Sequence, residues 1–140
     1  MPQKYVKKIL DARIYDLALE TPVDKAPLLS QRLKNRVLLK REDLQPVFSF
    51  KIRGAYNKLR HLSKEQLAAG VVAASAGNHA QGLALAAQKM GVNATIVMPK
   101  TTPNIKVDAV RGWGANVVLF GDNYDAAAGH AQQLLEERGL

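Results

Sequence analysis

Residues 70–98 read GVVAASAGNHAQGLALAAQKMGVNATIVM, two short apolar runs on either side of a helical stretch. Val71-Val72-Ala73-Ala74-Ser75 is bounded by Gly70 and by turn residues, a length that suits a buried strand better than a helix. A glycine turn leads into a helix over Ala80 to Met90, and Gly91 stands where helices commonly end on a left-handed residue. Ala94 to Met98 is a second strand. The same unit repeats downstream. Thr102-Pro103 opens a helix with threonine as N-cap and proline at the first helical position. Asn116 to Phe120 forms a third strand, and Asn123 caps a last helix running to Arg138, ended by Gly139. Strands that begin at residues 71, 94 and 116, each followed by a helix, imply right-handed βαβ crossovers. The fold class is α/β, a parallel sheet with helices on both faces. Such sheets bind ligands at the carboxyl ends of their strands, which directs attention to the loops after Ser75, Met98 and Phe120.

Toward the N-terminus, Val6, Ile9, Leu10, Ile14 and Leu17 recur at helical spacing and predict an amphipathic docking helix over residues 1–20. Thr21-Pro22 ends it, because a residue before proline is pushed out of the helical region. Pro27 to Leu33 predicts a short helix over the core, and Val37 to Arg41 a strand. Ile52 to Leu62 predicts a helix with Ile52, Ala55, Tyr56 and Leu59 on one face.

Bulk properties narrow the function classes. The 140 residues include no cysteine, which removes disulfides, thiolate nucleophiles and Cys-ligated metals. His61, His79 and His130 lack the spacing of a helical metal pair, so no metal site is expected. The 20 Lys+Arg outweigh 12 Asp+Glu, a formal charge of +8. The basic residues are spread along the chain without long runs or interleaved aromatics, so a solvated basic surface is expected rather than nucleic-acid binding. No apolar stretch reaches the roughly 18 residues of a membrane span, and residues 1–20 lack a signal-peptide core. A cytoplasmic location is the expectation.

Two stretches carry chemistry. Ser75-Ala76-Gly77-Asn78-His79-Ala80-Gln81-Gly82 lies between a strand end and a helix start. Gly77 can take a conformation closed to other residues, and the free N–H groups of the helix turn favour an anion. Ser75 and Asn78 add side-chain donors, so capture of a carboxylate or phosphate is expected. Gly77 and Gly82 have Walker A spacing, but Leu83-Ala84 stands where Lys-Ser/Thr is required, and no Rossmann fingerprint is present. The second stretch is Ser49-Phe50-Lys51-Ile52-Arg53-Gly54-Ala55. Lys51 is placed at a loop-to-helix junction beside Phe50, whose ring could lie against a flat cofactor, and Gly54 would allow close helix packing. A desolvated lysine near other cations can form Schiff bases.

These stretches, with Lys40-Arg41-Glu42-Asp43-Leu44-Gln45-Pro46, Ile96-Val97-Met98-Pro99 and Ile105 to Gly112, resemble the opening half of the threonine dehydratases. Those enzymes belong to the tryptophan-synthase-β-like fold (fold type II) of pyridoxal-phosphate enzymes. Relatives often carry Thr-Gly before Ser-Phe-Lys, and the Gln45-Pro46 version leans toward the biosynthetic enzyme of isoleucine formation. It leans away from serine racemase and the catabolic dehydratase.

The resemblance implies that Lys51 holds pyridoxal 5'-phosphate through its amine, that Phe50 flanks the ring, and that Asn78 hydrogen-bonds the ring hydroxyl. Ser75, Ala76, Gly77, Asn78 and His79 would bind the substrate carboxylate. The implied reaction is β-elimination of threonine to 2-oxobutyrate and ammonia, with Lys51 as general base; serine would react similarly. The resemblance also implies a division of the chain, with residues 1–52 in the large cofactor domain and 53–140 forming the small α/β domain. The glycine-rich phosphate loop of those enzymes has no counterpart here, so the remainder of the catalytic unit is expected to be missing, and the full-length protein to be a homo-oligomer. The alternatives are a related racemase or catabolic dehydratase, and a non-catalytic fragment that binds an amino acid or other anion.

Overall fold

The computed structural model describes residues 3–140. Its centre is a three-stranded parallel sheet of β3 (Val71–Ala74), β4 (Ala94–Met98) and β5 (Asn116–Leu119), in the order β3-β4-β5. Val71 lies opposite Ala94, and Met98 opposite Leu119. The connections are α5 (Asn78–Met90) and α6 (Asn104–Gly112), and α7 (Tyr124–Arg138) follows β5.

Alternation along a strand sends neighbouring side chains to opposite faces. Ile96 and Met98 therefore pack with Ala80, Ala84, Val107 and Val110 of α5 and α6. Val97 points the other way, against Ala127, Ala131 and Leu134 of α7. All three β4 residues are fully buried, as expected for a strand covered on both faces. β3 is only half-buried, and its outer edge is unpaired among the described residues.

In front of this sheet, α3 (Lys51–Arg60) packs on α5 through Ala55, Tyr56 and Leu59, three of the four residues expected on its buried face. The fourth, Ile52, joins Ala18, Val47 and Leu85 in a second cluster that ties the N-terminal segment to the sheet. That segment holds α1 (Gln3–Asp11), a short antiparallel pair of β1 (Val23–Lys25) and β2 (Leu38–Lys40), and α2 (Pro27–Leu33) between them.

Several local expectations are met. Gly91 closes α5 with φ +67, and the Asn123 side chain accepts from Ala126 N at the head of α7. Others are corrected. The helix expected over residues 1–20 ends at Asp11, with Met1 and Pro2 outside the described residues. A separate turn at Ile14–Asp16 then swings Leu17 and Ala18 onto the core, while Ile9 and Leu10 stay exposed. Tertiary packing of Ala18 on Ile52 overrides the helical period. The helix over Pro27–Leu33 forms but covers no core, since none of its residues is buried. Thr102 is not an N-cap: its N–H donates to Pro99 O, its hydroxyl is buried without a hydrogen-bond partner among the described residues, and Pro103 takes the cap position one residue later. Helix α4 (Lys64–Ala69) was not expected, although its signature is local. Ser63 and Gln66 form a reciprocal capping box.

Candidate active site

The turn before α3 is built by Val47 and Phe48. Phe48 N donates to Gln45 O at 2.8 Å, and Phe48 has φ +54, a conformation glycine adopts freely and a bulky residue does not. The turn delivers Phe50 as the N-cap residue and Lys51 as the first residue of α3. Two residues before Lys51, the buried Ser49 hydroxyl has no hydrogen-bond partner among the described residues. The Lys51 ammonium sits 4.8 Å from the centre of the Phe50 ring, a cation–π arrangement. Lys51 is exposed, so the desolvation expected from the sequence is not supplied by this segment.

A hydrogen-bonded frame holds this turn. Arg53 grips Glu42 with both ends of its guanidinium, Nε to Oε2 at 2.7 Å and Nη2 to Oε1 at 2.8 Å. Thr21 Oγ1 donates to the same carboxylate at 2.6 Å. Gln45, fully buried, bridges it to the Leu19 backbone, accepting from Leu19 N and donating to Leu19 O. The Arg53 guanidinium and the other donors hold the Glu42 carboxyl down at about 2, against the cost of burial. Bidentate charge-assisted pairs are the stronger and more directional kind. This frame was not foreseen, because its members are spread over residues 19–53 and no local spacing connects them.

Across from Lys51 is the loop between β3 and α5. Ser75 N donates to Val97 O at 3.1 Å, which pins the strand end, and Ser75 Oγ accepts from Gly77 N at 3.4 Å. Gly77 does not use the glycine-only freedom expected of it, since its φ is −139°, but nothing lies within 4 Å of where a Cβ would point. Its value is open space in front of the backbone. Asn78 is exposed and His79 partly exposed on the first turn of α5, whose N–H groups precede the first helical hydrogen bond, Gln81 N to Gly77 O. Such a 13-residue helix presents the positive end of its dipole there. The His79 ring is held below the ordinary histidine value, first by partial burial and then by the Lys51 ammonium.

The crossing of α3 and α5 brings the two stretches together. Gly54, expected to allow close helix packing, has nothing within 4 Å of its Cβ position. Gly82 fills that role instead: a Cβ there would lie 3.0 Å from Ile52 N and from the Lys51 carbonyl carbon. The loops after β4 and β5 are laced to each other, Lys100 N to Gly121 O at 2.8 Å and Thr101 Oγ1 to Asp122 O at 3.3 Å. His130 stacks on Phe120 with ring centres 4.1 Å apart, and His61 shares a 2.7 Å hydrogen bond with Asn57 O. Of the three histidines, His79 alone adjoins Lys51.

A model described as "Pyridoxal-phosphate dependent enzyme" matches residues 14–140. The chain belongs to this enzyme family. Its pyridoxal-phosphate relatives include the biosynthetic L-threonine dehydratase IlvA of Burkholderia multivorans, 59% identical over 97% of this chain and 27% of the relative. The biosynthetic, chloroplastic threonine dehydratase of Arabidopsis thaliana is 58% identical over 98% of this chain and 23% of its own length. Among solved structures, the processed threonine deaminase isoform 2 of Solanum lycopersicum superposes with a TM-score of 0.94 at 54% identity. It is matched over 99% of this chain and 38% of its own. Maize serine racemase follows at 0.88 and 33% identity, over 94% and 40%. The chain thus spans roughly a quarter of the length of its curated relatives.

The residues in hand fit the family's cofactor in kind. An exposed primary amine stands beside an aromatic face, and a glycine with open space heads a helix able to receive an anion. An unpartnered buried hydroxyl lies two residues from the amine.

Proposed function

We propose that this chain supplies the amine and the carboxylate-binding loop of a pyridoxal-phosphate-dependent threonine dehydratase that deaminates L-threonine to 2-oxobutyrate and ammonia. One observation carries the reading: Lys51, at the first turn of α3, is held against α5 at Gly82, one helical turn below the Ser75–His79 loop. The names of the relatives support threonine as substrate and isoleucine formation as the setting.

In this reading Lys51 would hold the cofactor, Phe50 would flank it, and Asn78 would hydrogen-bond its ring hydroxyl. The bound cofactor would delocalise the negative charge left when the substrate loses its Cα proton. Lys51 would accept that proton at Nζ as general base. The N–H groups at the head of α5, with Ser75, Ala76, Gly77, Asn78 and His79, fix the substrate carboxylate and so orient the Cα–H bond toward Lys51. Departure of the β-hydroxyl as water, followed by hydrolysis, completes the conversion. We further propose that residues 1–52 and 53–140 belong to separate domains of the catalytic unit, and that the full-length protein is a cytoplasmic homo-oligomer.

The test is to mix the chain with pyridoxal phosphate, reduce with borohydride and map the modified peptide by mass. A single adduct on Lys51, absent in Lys51→Ala and diminished in Asn78→Ala, is expected. Labelling scattered over the surface lysines would refute the assignment of Lys51. Because the chain spans 27% of its Burkholderia relative, turnover of threonine by the chain alone is expected to be weak or absent.

A further inference from the structure

We infer that Gly82 is a positioning residue for Lys51: the missing side chain lets the first turn of α3 approach α5 closely enough to set the Lys51 amine against the Ser75–His79 loop. The inference rests on the proposed function and deepens it at the same site.

The geometry is specific. A Cβ on Gly82 would meet Ile52 N at 3.0 Å, Lys51 C at 3.0 Å and Lys51 O at 3.2 Å, where ordinary van der Waals contact begins at 3.4 Å. All three atoms are backbone, so no side-chain rotation relieves the crowding. Asn78 stands four residues earlier on α5, one turn toward the loop and on the same face. One helix face therefore carries both the backbone contact that seats Lys51 and the side chain proposed to hold the cofactor ring.

α3 has little room to retreat. Behind it, Ile52 is fully buried against Ala18, Val47 and Leu85, and Arg53 is clamped to Glu42. A methyl group at position 82 must therefore shift the Lys51 backbone by a few tenths of an ångström. Misplacing a reacting group by about 1 Å costs on the order of 100-fold in rate, so a loss of roughly fivefold to tenfold is expected from this smaller shift. Gly54 provides the control, since it lies in α3 and has nothing within 4 Å of its Cβ position. Both glycine-to-alanine changes gain the same helix propensity and differ in crowding.

The experiment compares the parent chain, Gly82→Ala and Gly54→Ala. Each is mixed with pyridoxal phosphate and quenched with borohydride at intervals, and the Lys51 peptide is quantified per folded molecule, with folding followed by circular dichroism. Capture at Lys51 should slow roughly fivefold to tenfold in Gly82→Ala, while capture at other lysines and all capture in Gly54→Ala stay unchanged. Equal Lys51 capture in Gly82→Ala and the parent, whatever the melting temperature, would show a purely structural glycine and overturn the inference. Should Gly82→Ala not fold, adding Ile52→Val opens space behind α3, and the same slowing is expected in the double variant. If the parent itself shows no selective Lys51 adduct, the proposed function falls and this inference with it. If only the variant comparison fails, the proposed function stands.

Discussion

At the scale of single residues, Lys51 and His79 are electrostatically coupled. The sequence marks both, because each lies in a compact motif at a helix start, where glycine and capping chemistry act over a few neighbours. It does not mark Gly82 as the close contact in place of Gly54, since which helix face meets which is decided between elements. Nor does it show that Phe48 sits at φ +54. The His79 ring is held below its ordinary value by partial burial first and by the Lys51 ammonium second. A histidine depressed in the folded state stabilises the fold above its ordinary value, and that contribution is lost as pH falls through the lower folded value. Replacing Lys51 by Met removes the second cause and leaves the first. The His79 titration midpoint should therefore rise in Lys51→Met yet remain below the ordinary histidine value. Proton NMR of the ring, with His61 and His130 as internal references, measures this directly. An unmoved midpoint would place the Lys51 ammonium out of His79's reach.

Between elements, the Arg53–Glu42 clamp joins the N-terminal segment to α3 and so to Lys51. The βαβ units from residue 71 onward were legible because each is a local pattern of strand, turn and capped helix. The strand β1 and this clamp were not, because they exist only by pairing residues 11 to 34 positions apart. The clamp has a pH signature. The Glu42 carboxyl is held at about 2, below the ordinary glutamate value of 4.5. The stability it contributes is thus fully present above pH 4.5 and is lost as pH falls toward 2. With 16% of the Glu42 side chain exposed, the contribution is about 2–3 kcal/mol at neutral pH. Urea unfolding of the parent and of Glu42→Gln should differ by about that amount at pH 7, the variant being weaker. The gap should close steadily between pH 4.5 and pH 2. A gap that stays constant across that range would mean the carboxylate charge contributes nothing to holding α3.

Across the whole molecule, burial is graded, and the gradient predicts where the fold opens first. β4 is paired on both sides and covered on both faces, whereas β3 is half-buried and α1 buries no residue. Alongside β3 runs a mostly apolar cavity of about 200 Å³ whose walls include Leu59, Leu62, Val72 and Leu83. Native-state hydrogen exchange reads such gradients amide by amide. The amides of Ile96, Val97 and Met98 should exchange slowest, those of α1 fastest. Within β3 the pattern should alternate. Val71 N and Ser75 N donate to Asn93 O and Val97 O of the neighbouring strand side, so Val71, Ala73 and Ser75 point inward to β4. Val72 and Ala74 then point outward to the unpaired edge, since successive amides of a strand face opposite sides. Val72 and Ala74 should exchange far faster than Val71 and Ala73 under the same conditions. Equal protection of all four would mean that the outer edge of β3 is covered in solution by a further strand. The free edge would then be a pairing surface rather than a boundary of the sheet.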